Sequence, residues 1–545
     1  MAEDGEMQIS DSNRKTGGWI TFPFIAGTLA GLTIAIAGSM SNLVVYLIEK
    51  FNVKSIEATQ IFNIVNGCSS LLPVIAGIIA DSFLGCFSVI WVSSVFSLIG
   101  IFLLSLTAIL HTLRPQPCGN GSSSCTTPTT LQFAVLYSGI ALTTIGQGGS
   151  RFAIATMGAN QFDNVKDQGF FMNWFVVILY ASGVTGATVI VYIQDNVSWG
   201  LGFGLSVGAN MVGLAFFLWG NRYYCHIKLE GSPFTSLFRV IIAAVRKRKV
   251  QLSSRMEDYY FGHNQAMETE VSEPTKSFRF LNKAAQKTEG DIKLNGSTST
   301  ANPWRLCSVQ QVEDLKSVMR IFPVLSSGIF LSTPIGVLNS LTILQALSMD
   351  RHIGSSFKFP AGSVIVFVLT SAAISLALID RFVYPVWQKL THRSPTPLQR
   401  IGAGHVLNVI GMAVAALVES KRRKVAVTHN LNGVVPISVL WLVPQLAVVG
   451  IGEAFHYPGQ VTLYYRESPK SVGSTATAMS ALNMGIAYYL SSAVVDLVQK
   501  TTSWLPDNIN NGRLDYVYWM LFVLGSLNFA YFLICAKFYK YQNVE

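Results

Sequence analysis

Charge is what this sequence has least of. Asp, Glu, Lys and Arg make up 12% of its 545 residues, and half of the chain is hydrophobic; soluble domains carry about 25% charged residues. So little charge cannot dress a water-soluble surface of this length, which leaves a polytopic membrane protein. Cysteine is sparse too. The seven copies form no Cys-x-x-Cys pair and no Cys/His cluster, so no metal site is expected. Cys68, Cys86 and Cys535 lie in or beside apolar runs, as small hydrophobes do. Cys118 and Cys125 differ, being close together in a polar loop. A bridge between them is expected if that loop is extracellular, and the sequon at Asn120 suits the same face. Enzyme motifs are absent. Gly146-Gln-Gly-Gly149 is followed by no Gly-Lys-Ser/Thr, and there is no nucleophile elbow and no His-Glu-x-x-His, so neither catalysis nor a cofactor is expected. The opening Met1–Ser10 is polar and acidic, without the apolar core of a cleavable signal.

Long apolar runs are what the chain has in abundance. A helix needs about 20 mostly apolar residues to cross a bilayer. Such runs fall near 19–47, 58–80, 87–111, 131–152, 169–193 and 200–220, then near 318–347, 361–385, 398–418, 434–457, 471–499 and 514–537. The expected organisation is a tail (1–18), a six-helix bundle (19–220), a polar linker (221–317), a second six-helix bundle (318–537) and a short tail (538–545).

The net charge of +10 does not point to nucleic acid, because the basic residues stand mostly between apolar runs. That is the positive-inside pattern. The linker is the most basic part, with Arg246-Lys-Arg-Lys249, Lys276, Arg279, Lys283, Lys287 and Lys293. It should therefore be cytoplasmic, and an even number of spans then places both termini on the same side of a plasma-membrane protein. One stretch dissents: Lys421-Arg-Arg-Lys424 falls on the outer side. Within the linker, 234–248 is apolar on one side and basic at its end. It either lies on the membrane surface against anionic headgroups or simply joins the bundles. Residues 253–299 read as polar and loose.

Two six-span halves about a cytoplasmic linker match the major facilitator architecture, whose halves rock about a midplane site. Gly77-Ile-Ile-Ala-Asp-Ser-Phe-Leu-Gly85 between spans two and three supports this, with Asp81 placed to cap or pair at a cytoplasmic gate. At the level of motifs the chain closely resembles the plant nitrate and peptide transporter family, the plant branch of the proton-coupled oligopeptide transporters. The resemblance runs nearly end to end. It is carried by Gly158-Ala-Asn-Gln-Phe-Asp163, Phe170-Phe-Met-Asn-Trp-Phe175, Gln194-Asp-Asn-Val-Ser-Trp-Gly200, Gly231-Ser-Pro-Phe234, Trp304–Lys316, Met349-Asp-Arg-His-Ile-Gly354 and Gly452-Glu-Ala-Phe455.

The chain departs from that family in its first helix. Members carry E-x-x-E-R or E-x-x-E-K there, and the matching positions here are Leu29, Leu32 and Thr33. Cys86 replaces the family's Arg after the second span, and Ile335 stands where some nitrate-carrying members have a histidine. This loss resembles a subgroup of nitrate excretion and chloride or nitrate efflux transporters. The resemblance places Arg151 at the family's basic position facing the central cavity and makes Glu453, in the other half, its counter-charge. His456 is expected as a polar residue near the extracellular end of its helix. Thr33, Asn66, Tyr180 and Asn339 stand alone on apolar spans as candidates for the cavity wall. Without two acids and one base, the cavity is more positive and less able to hold a proton. The expectation is a monomer or weak dimer that releases nitrate or chloride by alternating access with little or no proton coupling. A proton-coupled importer of a larger organic anion (a glucosinolate or hormone) working through Glu453, and a non-transporting anion sensor, are the alternatives.

Overall fold

The computed structural model describes residues 17–116, 127–225, 233–253, 255–262, 274–275, 277–288, 291–295, 298–355, 357–431, 433–467 and 473–539. The first half comprises α1 (Phe22–Met40) with its extension α2 (Leu43–Phe51), α3 (Ser55–Ile79), α4 (Gly85–Ile109) and α5 (Thr130–Ala159). It continues with α6 (Val165–Thr185), which runs through a wide π-type turn at Gly186–Ile190 into α7 (Val191–Asn196), and ends with α8 (Trp199–Trp219). The linker contributes α9 (Pro233–Arg246) and the short α10 (Arg279–Asn282). The second half holds α11 (Val309–Leu347), α12 (Ile365–Leu378) with its continuation α13 (Tyr384–Thr391), α14 (Pro397–Thr428), α15 (Val443–Glu467), α16 (Gly473–Thr501) and α17 (Leu514–Phe538).

Among the described residues, eleven helical stretches are long and apolar enough to cross a membrane. The twelfth is α5, 30 residues long, whose apolar run is diluted by Gln132, Thr143, Thr144, Gln147 and Arg151. Capping boxes start three of the longest helices: Thr129 with Gln132, Ser308 with Gln311, and Thr396 with Gln399. Each satisfies two amide groups that a helix end otherwise leaves open. Small residues then let the helices close up. A side chain at Gly100 of α4 would stand 2.5 Å from the Thr143 amide nitrogen of α5, so no larger residue fits at that crossing.

Several helices outlast their apolar runs. α5 continues to Ala159, α14 to Thr428 and α15 to Glu467. Hydropathy falls wherever polar residues gather, but backbone hydrogen bonding does not stop there. His456 consequently lies in the interior of α15, buried, and eleven residues before the helix ends on the linker side. This corrects its expected position near the extracellular end.

The linker is not loose over its described residues. Val240, Ala243, Ala244, Tyr259, Leu281, Ala284 and Ala285 share a core with Cys307, Val309, Val312 and Leu315 at the start of α11. Lys247, from the basic run, is buried and paired with buried Asp291 at 2.6 Å. Contacts between the halves run from mid-span to the side opposite the linker, here called the far side. There Asn63 donates to Ser340 (3.3 Å), Ser363 to the Ala187 carbonyl (2.7 Å), and Arg351 pairs with Asp195 at 2.9 Å. The Asp195 and Arg351 stretches are two of the motifs that carried the family resemblance. With the far side closed in this way, the space between the halves opens toward the linker.

The dissenting basic run at 421–424 is likewise explained by packing. Arg422 is fully buried and grips equally buried Glu419 through two bonds of 2.7 and 2.8 Å. Ser348 and Asn510 accept from the same guanidinium, and Gln345 donates to Glu419. Arg423 donates to the Gly512 carbonyl, and the Lys421 ammonium sits 3.4 Å above the Trp441 ring. Three of the four cations thus have partners on the protein itself, although only Arg422 is buried. Removing one partner of a buried pair costs about 3–5 kcal/mol, whereas replacing both with apolar residues can be neutral. Arg422→Met should therefore lower the melting temperature in detergent sharply, and Arg422→Met with Glu419→Met should recover most of the loss.

Candidate functional site

Arg151 stands on α5 two turns before the helix ends, exposed while its neighbours Ser150, Ala153 and Ile154 are buried. Glu453 projects from α15 and is half-buried. Tyr180 of α6 and Tyr488 of α16 each lie within electrostatic reach of both Arg151 and Glu453. Two charges of opposite sign and two phenols, drawn from both halves, thus face one space. Neither Arg151 nor Glu453 has an ion pair or hydrogen bond among the described residues. With the far side closed, the pair stands open.

Asn339 of α11 joins this group. It is buried near Tyr488, and its Oδ1 has no hydrogen-bond partner among the described residues. A hydroxyl and a carboxamide beside a guanidinium can replace part of an anion's hydration shell while the cation supplies attraction. Tyr488 was not anticipated from the sequence. Its signal lies in Ala487-Tyr-Tyr-Leu490, two adjacent phenols in an apolar run, which by helical spacing must face different directions. Tyr489 faces α3, with its ring against Gly67 and its hydroxyl on the Cys68 thiol.

The other expected wall residues are placed differently. Asn66 donates to the Phe62 carbonyl one turn back on its own helix, at 2.8 Å. Thr33 is half-buried on α1. Leu29 and Leu32, at the lost acidic positions, are each only 2% exposed and pack with Ile25, Ala76, Val89, Ile154 and Phe171. Where family members place carboxylates, this protein has a dry hydrocarbon core. Ile335, at the place of the histidine, is also core. The Asp81 backbone lies in a wide turn at Ala80–Leu84, but its side chain is outside the described atoms; Cys118, Asn120 and Cys125 lie outside the described residues.

Comparisons with known proteins agree with this architecture. A family model described as the POT family matches residues 87–511. Protein NRT1/PTR FAMILY 2.7 of Arabidopsis thaliana is 53% identical over 547 residues, covering 100% of this chain and 96% of that protein. NRT1/PTR FAMILY 2.3 of the same plant is 51% identical, covering 99% and 96%. Among solved structures, the in meso crystal structure of the POT family transporter PepTSo superposes with a TM-score of 0.70 at 15% identity, covering 96% of this chain and 99% of that one. An auto-inhibited POT family peptide transporter gives 0.68 at 14% identity, with the same coverage. At such identities the structures speak for the fold alone, twelve helices in two bundles of the major facilitator type. The sequence relatives go further, and this chain belongs to the POT family of membrane transporters, in its plant nitrate/peptide branch.

Proposed function

We propose that this transporter releases a small inorganic anion, nitrate before chloride, from the cytosol by alternating access without obligatory proton coupling. The observation that carries the reading is the hydrocarbon at Leu29 and Leu32, which leaves Arg151 and Glu453 as the charges acting on Tyr180 and Tyr488 in the central space among the described residues. A monovalent anion leaving a negative-inside cell gains about 2.3 kcal/mol per 100 mV. Efflux therefore needs no second ion, whereas uptake against that potential would need protons and a carboxylate to carry them.

Arg151 supplies attraction and Glu453 competes for it. When Glu453 is ionised the two charges can pair and exclude the anion; when it is protonated Arg151 is free. The linker face is read as cytoplasmic at the plasma membrane. There α9 shows Phe238, Ile241 and Val245 along one exposed line, beside exposed Arg246, Arg248 and Lys249. Such an apolar line with a basic rim suits the surface of an anionic leaflet.

A second reading, a proton-coupled importer of a larger organic anion, is favoured by the open position of Glu453. Isotopic nitrate flux in proteoliposomes, with voltage and pH gradients set separately, separates the two. Voltage-driven nitrate efflux whose rate follows pH through Glu453 but whose equilibrium is not shifted by the pH gradient is expected; nitrate accumulation tied to proton entry would overturn the proposal. A hydrogen bond to a charged group is worth about 1.5–3 kcal/mol, so Arg151→Ala should cut nitrate exchange tenfold or more. Glu453→Gln should retain exchange but lose its dependence on pH, since a neutral amide mimics the protonated acid at every pH. Wild-type pH dependence in that variant would reduce Glu453 to a packing role.

A further inference from the structure

Behind Glu453, on the side of α15 that meets α14, the second half holds polar side chains that its packing leaves unanswered. The two helices meet in a regular seam, with glycines of one helix admitting side chains of the other. A Cβ at Gly459 would stand 3.1 Å from that of Arg400, and one at Gly404 would stand 2.5 Å from that of His456. One at Gly452 would stand 2.8 Å from Asn408 Oδ1. Arg400, Asn408 and His456 therefore follow one another along the α14–α15 contact, and His405, the residue after Gly404, turns from its edge toward α17. The His405 ring stacks on Phe532 of α17 at 4.6 Å.

His405, Asn408 and His456 are all buried. Both nitrogens of each imidazole, both amide atoms of Asn408 and the Nε of Arg400 have no hydrogen-bond partner among the described residues. Each such group left unanswered is costly, because it has lost its water without gaining a partner. Internal water is the partner that answers such groups, since buried water sits where two to four polar partners converge. The seam has two ends. Inward, Gly452 lies against Asn408, and His456 is three residues beyond Glu453, a neighbour on the helix surface. Outward, Arg400 lies in the first turn of α14 on the linker side, its guanidinium 4.2 Å above the Tyr384 ring. The titratable and charged groups facing the seam are thus Arg400 and Tyr384 at its mouth and Glu453 at its inner end; α17 presents the rings of Phe529 and Phe532.

We propose that this seam is a hydrated proton path joining the linker face to Glu453 through His405 and His456, separate from the route of the anion. A neutral imidazole takes a proton from water on one nitrogen and releases one from the other to the next water. One proton moves, it ends on the Glu453 carboxylate, and nothing else is consumed. The inference rests on reading Glu453 as the gate of the central space, and it supplies what the loss of the first-helix acids does not. Through such a path Glu453 exchanges its proton with the linker side whichever way the central space faces. A proton bound there need not cross with the anion, so the gate remains sensitive to acid while the transport cycle stays uncoupled.

The test uses the full-length protein in proteoliposomes, with an internal pH dye and isotopic nitrate. Without nitrate, wild type should slowly dissipate an imposed pH gradient. His405→Phe, which keeps the stack on Phe532, and Asn408→Leu, which dries the seam, should each slow that relaxation about tenfold. In both variants a nitrate gradient should now drive measurable proton movement. His405→Gln should keep the seam wet but still block, which a purely structural histidine would not do. Nitrate exchange at equal pH reports the function proposed above and should persist in all three variants. Variants that exchange nitrate normally, relax the pH gradient at the wild-type rate and remain uncoupled would overturn the proton path alone. Wild type that moves nitrate only together with protons would overturn the function on which it rests.

Discussion

A polar group at bilayer depth must have water or a protein partner, because hydrocarbon offers neither. That constraint orders this molecule. Arg422 and Glu419 meet it by pairing inside a network with Gln345, Ser348 and Asn510, and so become structural. Arg151 and Glu453 have neither an ion pair nor a hydrogen bond among the described residues and face the space between the halves. The same two residue types differ in pairing according to what surrounds them.

The missing first-helix acids belong to the same division. Leu29 and Leu32, at the positions that the resemblance assigns to carboxylates, join the packing of α1 against α3, α4, α5 and α6. The first half thereby gives up an interior charge and gains a continuous core. The buried histidines then lie in the second half, on α14 and α15, while the first half keeps the fixed cation Arg151.

Much of this was legible in the sequence. Apolar runs placed the spans, and the polar linker separated two sets of six. The isolated charges Arg151 and Glu453 both lie near Tyr180 and Tyr488. Depth along a helix was harder to read. Hydropathy ended α15 near residue 457, so His456 seemed terminal, although the helix continues to Glu467. Direction around a helix was harder still. Asn66 and Asn339 look alike in sequence, yet Asn66 bonds its own backbone while Asn339 meets Tyr488. The basic run at 421–424 misled because a count of positive charges cannot see that Arg422 is buried. The partners that decide such cases come from α11, α15 and the loop before α17, far away in the chain.

The linker core, finally, has a mechanical meaning. Its apolar residues are shared with the start of α11, and its buried Lys247–Asp291 pair fastens the same small body together. Such a body is ballast carried by the second bundle, not a strap stretched across both. When the bundles tilt, it travels as part of one rigid partner, and whatever grips its basic outer surface would pull on that bundle first.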